Sequence, residues 1–179
     1  MGISSNIREL ISKRRKGYSL EAPFYLSPEI FNLDVAAIFL QHWIYVATEA
    51  DIPEPGDYIK IDIDTNSVII VRDDDMNVKA FHNVCRHRGS QICDDHKGSV
   101  GNLVCPYHQW TYDLSGKLIY NEHMGNDFDM SQHNLKSVHA ESLAGLIFIC
   151  GYWLVRVSLT PSYCEPCGEH LQSLDQFSL

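Results

Sequence analysis

Two runs of this 179-residue chain decide its fold and chemistry: FHNVCRHRGSQIC at residues 81–93 and LVCPYHQWTYDLSGKL at residues 103–118. Each run contains one Cys and one His, with one residue between them in the first run and two in the second. Seventeen residues separate the two pairs. The four candidate ligands are Cys85, His87, Cys105 and His108.

A Cys and a His from each of two loops form the ligand set of a Rieske [2Fe-2S] cluster, in which two Cys hold one iron and two His hold the other. Neutral imidazoles in place of two thiolates leave the cluster less negative and raise its reduction potential. Gly89 and Pro106 suit the tight turns that such close ligand spacings require. The pattern therefore predicts a one-electron carrier of comparatively high potential.

Other interpretations of the four residues remain open. Two Cys and two His are also a tetrahedral zinc set, and spacing alone does not exclude zinc. Zinc sites usually pair like residues within each half, whereas each half here has one Cys and one His. The four residues also stand in a chain with nine His, where they can coincide without sharing a metal. The alternative function is thus a structural zinc-binding domain or an inactive truncated product.

The two runs resemble the Rieske domain of the alpha subunits of Rieske non-heme iron ring-hydroxylating oxygenases. The similarity extends upstream to APFYLSPEIFNLDVAAIFLQHWIYVATEADIPEPGDY at residues 22–58, which looks like the segment those subunits carry ahead of the cluster. The form CPYHQW, with Gln109 where many relatives have Gly, is similar to members that act on quaternary amines such as glycine betaine, choline or carnitine. The resemblance implies part of a monooxygenase or dioxygenase.

The resemblance covers about residues 8–150 and implies three parts. These are an N-terminal helical segment at 1–45, a Rieske [2Fe-2S] domain at 46–150 and an atypical C-terminal tail at 151–179. In the family, a catalytic domain follows and holds a mononuclear iron on two His and one carboxylate. The tail does not resemble that domain, so we expect the mononuclear iron only in a domain missing from this chain. We also expect the natural reading frame or gene end to have been lost near Gly151.

The resemblance also implies the redox partners. In the family, a reductase or ferredoxin reduces the cluster, and the electron passes to the catalytic domain, usually in a neighbouring subunit. Because that domain is not in the chain, we assign no catalytic residue and leave enzyme activity open. An oxidoreductase role as an electron-transfer module is the expectation.

Composition excludes several other classes. The net charge of −9 argues against nonspecific nucleic-acid binding, which needs clustered Lys and Arg. No apolar run approaches the roughly 20 residues of a membrane span, and the N-terminus does not resemble a secretory signal. Two of the six Cys are already assigned as ligands, which favours a reducing, cytoplasmic setting over a disulfide framework.

The fold prediction is a mainly β, β-sandwich-like domain preceded by helices. One amphipathic helix is expected at 5–16, and a second begins at Ser27 as N-cap with Pro28 in its first turn. The apolar face predicted for this second helix comprises Val35, Ile38, Phe39 and His42. The predicted strands are 57–63, 67–72, 78–83, 109–114, 117–120, 138–140 and 146–150. Both ligand loops are expected at the ends of β-hairpins, with Trp110 and Tyr112 packed beneath.

Two further groups of potential ligands are given less weight. Cys164-Glu165-Pro166-Cys167 with His170 has the spacing of a redox or zinc motif, but it lies in the tail that departs from the family. Two His and a carboxylate can also form a facial iron triad, although the family does not place one within its Rieske domain. The candidates for that triad are His123, Asp127, Asp129, His133 and His139.

Overall fold

The structure is a computed structural model that describes residues 5–122, 124, 125 and 127–150. Ten strands dominate these residues, which confirms the prediction of a mainly β chain with helices at its N-terminal end. The strands are β1 Trp43–Thr48, β2 Asp57–Ile63, β3 Asn66–Arg72, β4 Val78–His82, β5 Lys97–Ser99, β6 Leu103–Val104, β7 Thr111–Tyr112, β8 Leu118–Tyr120, β9 Ser137–Leu143 and β10 Leu146–Cys150.

The helices are short. They are α1 Ser5–Ser12, α2 Pro23–Leu26, α3 Pro28–Asp34, a π-helical turn Val35–Phe39 and the 3-10 turns Glu49–Asp51 and Met130–His133. None of the helices in the described residues has the length and hydrophobicity needed to cross a bilayer.

The first helix ends at Ser12 and is therefore four residues shorter than the predicted helix at 5–16. Four adjacent cations follow at 13–16, and mutual repulsion of like charges disfavours a continued helix. Gly17 then adopts a left-handed backbone conformation with φ of 85°. Ile7 is buried, but Ile11, four residues later on the same side of the helix, is 42% exposed.

The second helix begins where predicted, with Ser27 as N-cap and Pro28 as its first residue. Its predicted apolar face is wrong beyond Val35. There the amide of Leu40 donates to the carbonyl of Val35 at 2.9 Å, a π-helical bond that widens the turn by one residue. The wider turn buries Leu40 and leaves Ile38 half exposed.

Seven of the strands form one antiparallel sheet in the order β1-β10-β9-β4-β3-β2-β5, and β6, β7 and β8 form a smaller sheet. Strand β3 lies near the middle and is buried on both faces. Val68 and Ile70 pack into one hydrophobic core, whereas Ile69 and Val71 pack into the other. The core that contains Ile69 also contains all the buried Cys and aromatic residues of the two ligand runs.

The first ligand loop, residues 83–93, is not at the end of a hairpin, so that prediction is wrong. It leaves β4, but the next strand, β5, pairs with β2 and not with β4. The second ligand loop, residues 105–110, does lie at the end of a hairpin, because β6 and β7 pair through Leu103 with Tyr112 and Val104 with Thr111.

A compact turn shapes the first ligand loop. The amide of Cys85 donates to the carbonyl of Ser90 at 2.8 Å, and the amide of Gly89 donates to the carbonyl of Cys85 at 3.0 Å. Gly89 has φ of 75°, which a residue without a Cβ adopts at little cost.

The second ligand loop repeats this turn. The amide of Cys105 donates to the carbonyl of Trp110 at 2.9 Å, and the amide of Gln109 donates to the carbonyl of Cys105 at 3.0 Å. Gln109 therefore occupies the position that Gly89 has in the first loop, with φ of 56°. A side chain in this conformation is strained, so the second loop carries a local cost that the first does not.

Replacing Gln109 by Gly should relieve this strain. We expect Gln109→Gly to raise the free energy of unfolding by about 1 kcal/mol, measured by urea denaturation of the full chain. Gln91→Gly is the matched control, because Gln91 is also exposed but has no positive φ, and it should lower stability through the added freedom of the unfolded chain. Equal destabilisation by both substitutions would contradict the strain.

Candidate metal centre

The two ligand loops bring their four candidate ligands to one end of the molecule. The side chains of Cys85 and Cys105 are buried in the same core, at 3% and 2% exposure, and burial together with the neighbouring Cys105 thiol raises the pKa of Cys85. The rings of His87 and His108 are half-buried and lie side by side, with centroids 4.7 Å apart. The predicted residues therefore form one pair of thiols and one pair of imidazoles.

Unsatisfied polar atoms mark this site. Among the described residues, three buried side-chain nitrogens lack a hydrogen-bond partner, and all three belong to the two ligand loops. They are Arg86 Nε, His87 Nδ1 and Trp110 Nε1. Buried polar groups without partners are rare and costly, so their concentration here indicates a place built for a bound group.

The His87 imidazole has the properties of a metal ligand. Burial lowers the pKa of His87, and the neighbouring His108 and Arg88 lower it further. The ring is thus held neutral, and a neutral imidazole offers a lone pair from one of its nitrogens. The buried and unpartnered Nδ1 is suited to direct that lone pair at a metal.

The Cys85 thiol fits a metal as well. Burial raises the pKa of Cys85 above its ordinary value, so without a metal the thiol keeps its proton. A bound cation removes that proton, because coordination stabilises the thiolate far more than a buried apolar setting does. The donor set is thus consistent with an iron cluster held by two sulfurs and two nitrogens.

Aromatic rings pack against both histidines. The Trp110 ring is 1% exposed and lies parallel to His87, with centroids 4.7 Å apart and an angle of 5° between the planes. The ring of Tyr107 lies 3.8 Å from that of His108 and is 60% exposed. Trp110 is therefore buried as predicted, and it also fixes the orientation of a candidate ligand.

Tyr112 connects the two loops. Its hydroxyl accepts a hydrogen bond from the amide of Arg86 at 3.0 Å and lies 3.4 Å from Cys85 Sγ. Burial raises the pKa of Tyr112, so the phenol keeps a proton that it can donate to the sulfur. The sequence predicted only a core role for this residue. Its place two residues after Trp110 in the predicted strand 109–114 was a signal that both side chains face the same side.

The other candidate ligands do not assemble into a site. Among residues 5–122, 124, 125 and 127–150, no group of three or more His, Cys, Asp or Glu could hold a single metal ion. His133 packs edge-on to Trp110 at 5.8 Å, and its Nδ1 lies 3.0 Å from the carbonyl of Asp129. His123 and the Cys164-to-His170 motif lie outside the described residues. A [2Fe-2S] cluster does not need such a group, since it takes only two protein ligands per iron.

Relatives of known chemistry match the region that contains both loops. Residues 42–140 match the model of the Rieske [2Fe-2S] domain family. The chain is 44% identical over 142 residues to the glycine betaine monooxygenase oxygenase subunit of Chromohalobacter salexigens, covering 79% of this chain and 32% of that subunit. It is 34% identical over 146 residues to the salicylate 5-hydroxylase large oxygenase component of Ralstonia sp., covering 73% of this chain and 34% of that component.

A solved structure shares the fold. The quaternary ammonium Rieske monooxygenase CntA, in complex with its substrate L-carnitine, superposes with a TM-score of 0.70 and 29% identity, covering 86% of this chain and 43% of that one. The chain spans about a third of the length of the curated relatives it matches. Since the family model matches more than half of the residues and includes both ligand loops, this chain belongs to the Rieske [2Fe-2S] domain family.

Proposed function

We propose that the chain transfers single electrons as the Rieske part of an oxygenase alpha subunit, with a [2Fe-2S] cluster held by its two ligand loops. The proposed ligands are Cys85, His87, Cys105 and His108. The observation that carries the proposal is the concentration of unpartnered buried nitrogens on these loops, beside two buried thiols. When bound, the cluster supplies one-electron redox chemistry at a potential raised by its two imidazole ligands.

The protein's own residues determine how such a centre is exposed. The two thiols lie in the core, whereas the rings of His87 and His108 are half-buried. The imidazoles are therefore the side of the centre from which an electron reaches the surface. On the inner side, Trp110 packs against His87 and the Tyr112 hydroxyl lies beside Cys85, and both exclude water from the sulfur atoms.

Rigidity is the second contribution of the protein. Each loop is closed by two backbone hydrogen bonds, and the loops rest on a core around β3. Ligands that barely move between oxidation states keep the reorganisation energy of electron transfer small. This is the property expected of a carrier and not of a site where substrate binds.

The partners follow from the length of the relatives. The relatives are oxygenase subunits and components, and this chain matches only about a third of their length. We propose that a reductase or ferredoxin donates the electron. The acceptor is a mononuclear iron in a catalytic domain or neighbouring subunit that corresponds to the remainder of those relatives.

Quaternary amines are the proposed substrate class of the whole oxygenase. Identity is 44% to the glycine betaine monooxygenase subunit and 34% to the salicylate 5-hydroxylase component. The CPYHQW form at residues 105–110 points to the same subgroup. A structural zinc role gains no support, because no group of three or more potential ligands converges among the described residues.

Anaerobic reconstitution with iron and sulfide tests the ligand set. The reduced full chain should give a rhombic EPR signal with an average g below that of all-Cys clusters, and a zinc protein gives none. His87→Cys should abolish or strongly shift this signal by replacing an imidazole with a thiolate. The exposed His96 provides the control, since His96→Cys should leave the spectrum unchanged. An unaltered spectrum in His87→Cys contradicts the ligand assignment.

The Tyr112 hydroxyl should raise the reduction potential, because a hydrogen bond to sulfur stabilises the more negative reduced state. Tyr112→Phe should lower the potential by on the order of 40 mV, the one-electron equivalent of about 1 kcal/mol. Redox titration followed by EPR measures it. Tyr120→Phe serves as the control because Tyr120 is half exposed. If both variants keep the wild-type potential, the hydroxyl does not act on the sulfur.

A further inference from the structure

The side chain of Asn83 holds the two ends of the first ligand loop together. Asn83 is the residue at which the chain leaves β4, and it is completely buried. Its backbone amide donates to the carbonyl of Ser67 at 2.9 Å, which fixes it against β3. The start of the loop is thus anchored to β3, the strand that is buried on both faces.

The Asn83 amide then reaches the far end of the loop. Its Oδ1 accepts from the backbone amides of Ile92 and Cys93, both at 2.9 Å. Its Nδ2 donates to the carbonyl of Cys93 at 2.7 Å and to Ser67 Oγ at 3.1 Å. An Asn amide offers two donor hydrogens and an oxygen with two lone pairs, so its whole hydrogen-bonding capacity is used.

The Asn83 side chain closes the first loop by hydrogen bonds, whereas strand pairing closes the second loop. The base of the second loop is closed by the pairing of Val104 with Thr111 in β6 and β7. The first loop has no such pairing, because β5 pairs with β2. Within the part of the chain that the structure describes, Ile92 has no strand pairing with β4, and the Asn83 side chain supplies the hydrogen bond that joins them.

No other residue type supplies the same contacts. Asp keeps the acceptor oxygen for the two amides but lacks the NH2 group that donates to Cys93 and Ser67. Ala removes all four side-chain bonds and leaves buried backbone groups without partners. Gln carries the same amide on a longer stem, which does not fit a fully packed site.

We propose that Asn83 is a positioning residue for the metal centre, which sets the separation of the ends of the first loop and so aims Cys85 and His87. This inference rests on the proposed function, since the aim of those side chains matters only if they bind the cluster. It extends that function by assigning a role to a residue that touches neither ligand side chain in the structure's hydrogen-bond network.

The test compares iron retention with global stability in the reconstituted full chain. The variants are Asn83→Ala, Asn83→Asp and Ile70→Ala. Ile70 is the control because it is equally buried but packs into the other core, away from both loops. The measurements are the melting temperature, the rate of iron transfer to an excess of EDTA followed by visible absorbance, and the EPR spectrum after reduction.

The wild-type chain is measured first. If it takes up iron but gives no Rieske-type EPR signal, the proposed function is wrong, whatever the variants show. Given that signal, Asn83→Ala should release iron about 10- to 100-fold faster than wild type and shift the g values, in line with the usual effect of removing a group that orients metal ligands. Ile70→Ala should keep the wild-type g values and release iron more slowly than Asn83→Ala at a comparable loss of melting temperature.

Asn83→Asp should fall between wild type and Asn83→Ala, because it retains the acceptor for Ile92 and Cys93. If Asn83→Ala does not fold, Asn83→Asp is compared with Ile70→Val instead. In either comparison, equal iron release by the Asn83 variant and the Ile70 variant, with unchanged g values, overturns the positioning role.

Discussion

The site depends on the burial of polar atoms that can bind a metal, at one closely packed end of a β protein. Two thiols, a neutral imidazole nitrogen and two N–H donors lie on the same pair of loops, and the imidazole nitrogen and both donors lack protein partners. Burial is costly for each of them alone. A bound iron-sulfur cluster would offset part of that cost through ligand bonds, which is the basis for proposing that the two loops hold one.

The rest of the fold supports these loops. Strand β3 is buried on both faces and separates a core beneath the loops from a second core that contains no ligand residue. The two loops share the same turn geometry and place their Cys at the same position of the turn, but His follows two residues later in the first loop and three residues later in the second. Different interactions close the two loops. Strand pairing closes the second loop, whereas the side-chain amide of Asn83 closes the first. The strain at Gln109 shows that the shape of the turn takes precedence over local backbone preference.

Local sequence patterns predicted much of this arrangement. The Cys and His spacings predicted the loops, and Ser27 with Pro28 predicted a helix start. Alternation and β-branched runs predicted most of the strands, but not the short β5 and β6. What escaped prediction depends on contacts between distant residues. The pairing of β5 with β2 removed the expected first hairpin, and a π-helical turn moved burial from Ile38 to Leu40. The contacts of Tyr112 and Asn83 likewise appear only when remote segments are brought together.

Pulsed ENDOR of the reduced, reconstituted chain labelled with 15N in its histidines tests the central assignment most directly, since it detects nitrogens bonded to the paramagnetic centre. Two imidazoles on one iron predict two strongly coupled, inequivalent 15N signals, and each should disappear when its own residue, His87 or His108, is replaced. A cluster without strongly coupled histidine nitrogen would show that sulfur alone holds the iron and would contradict the account.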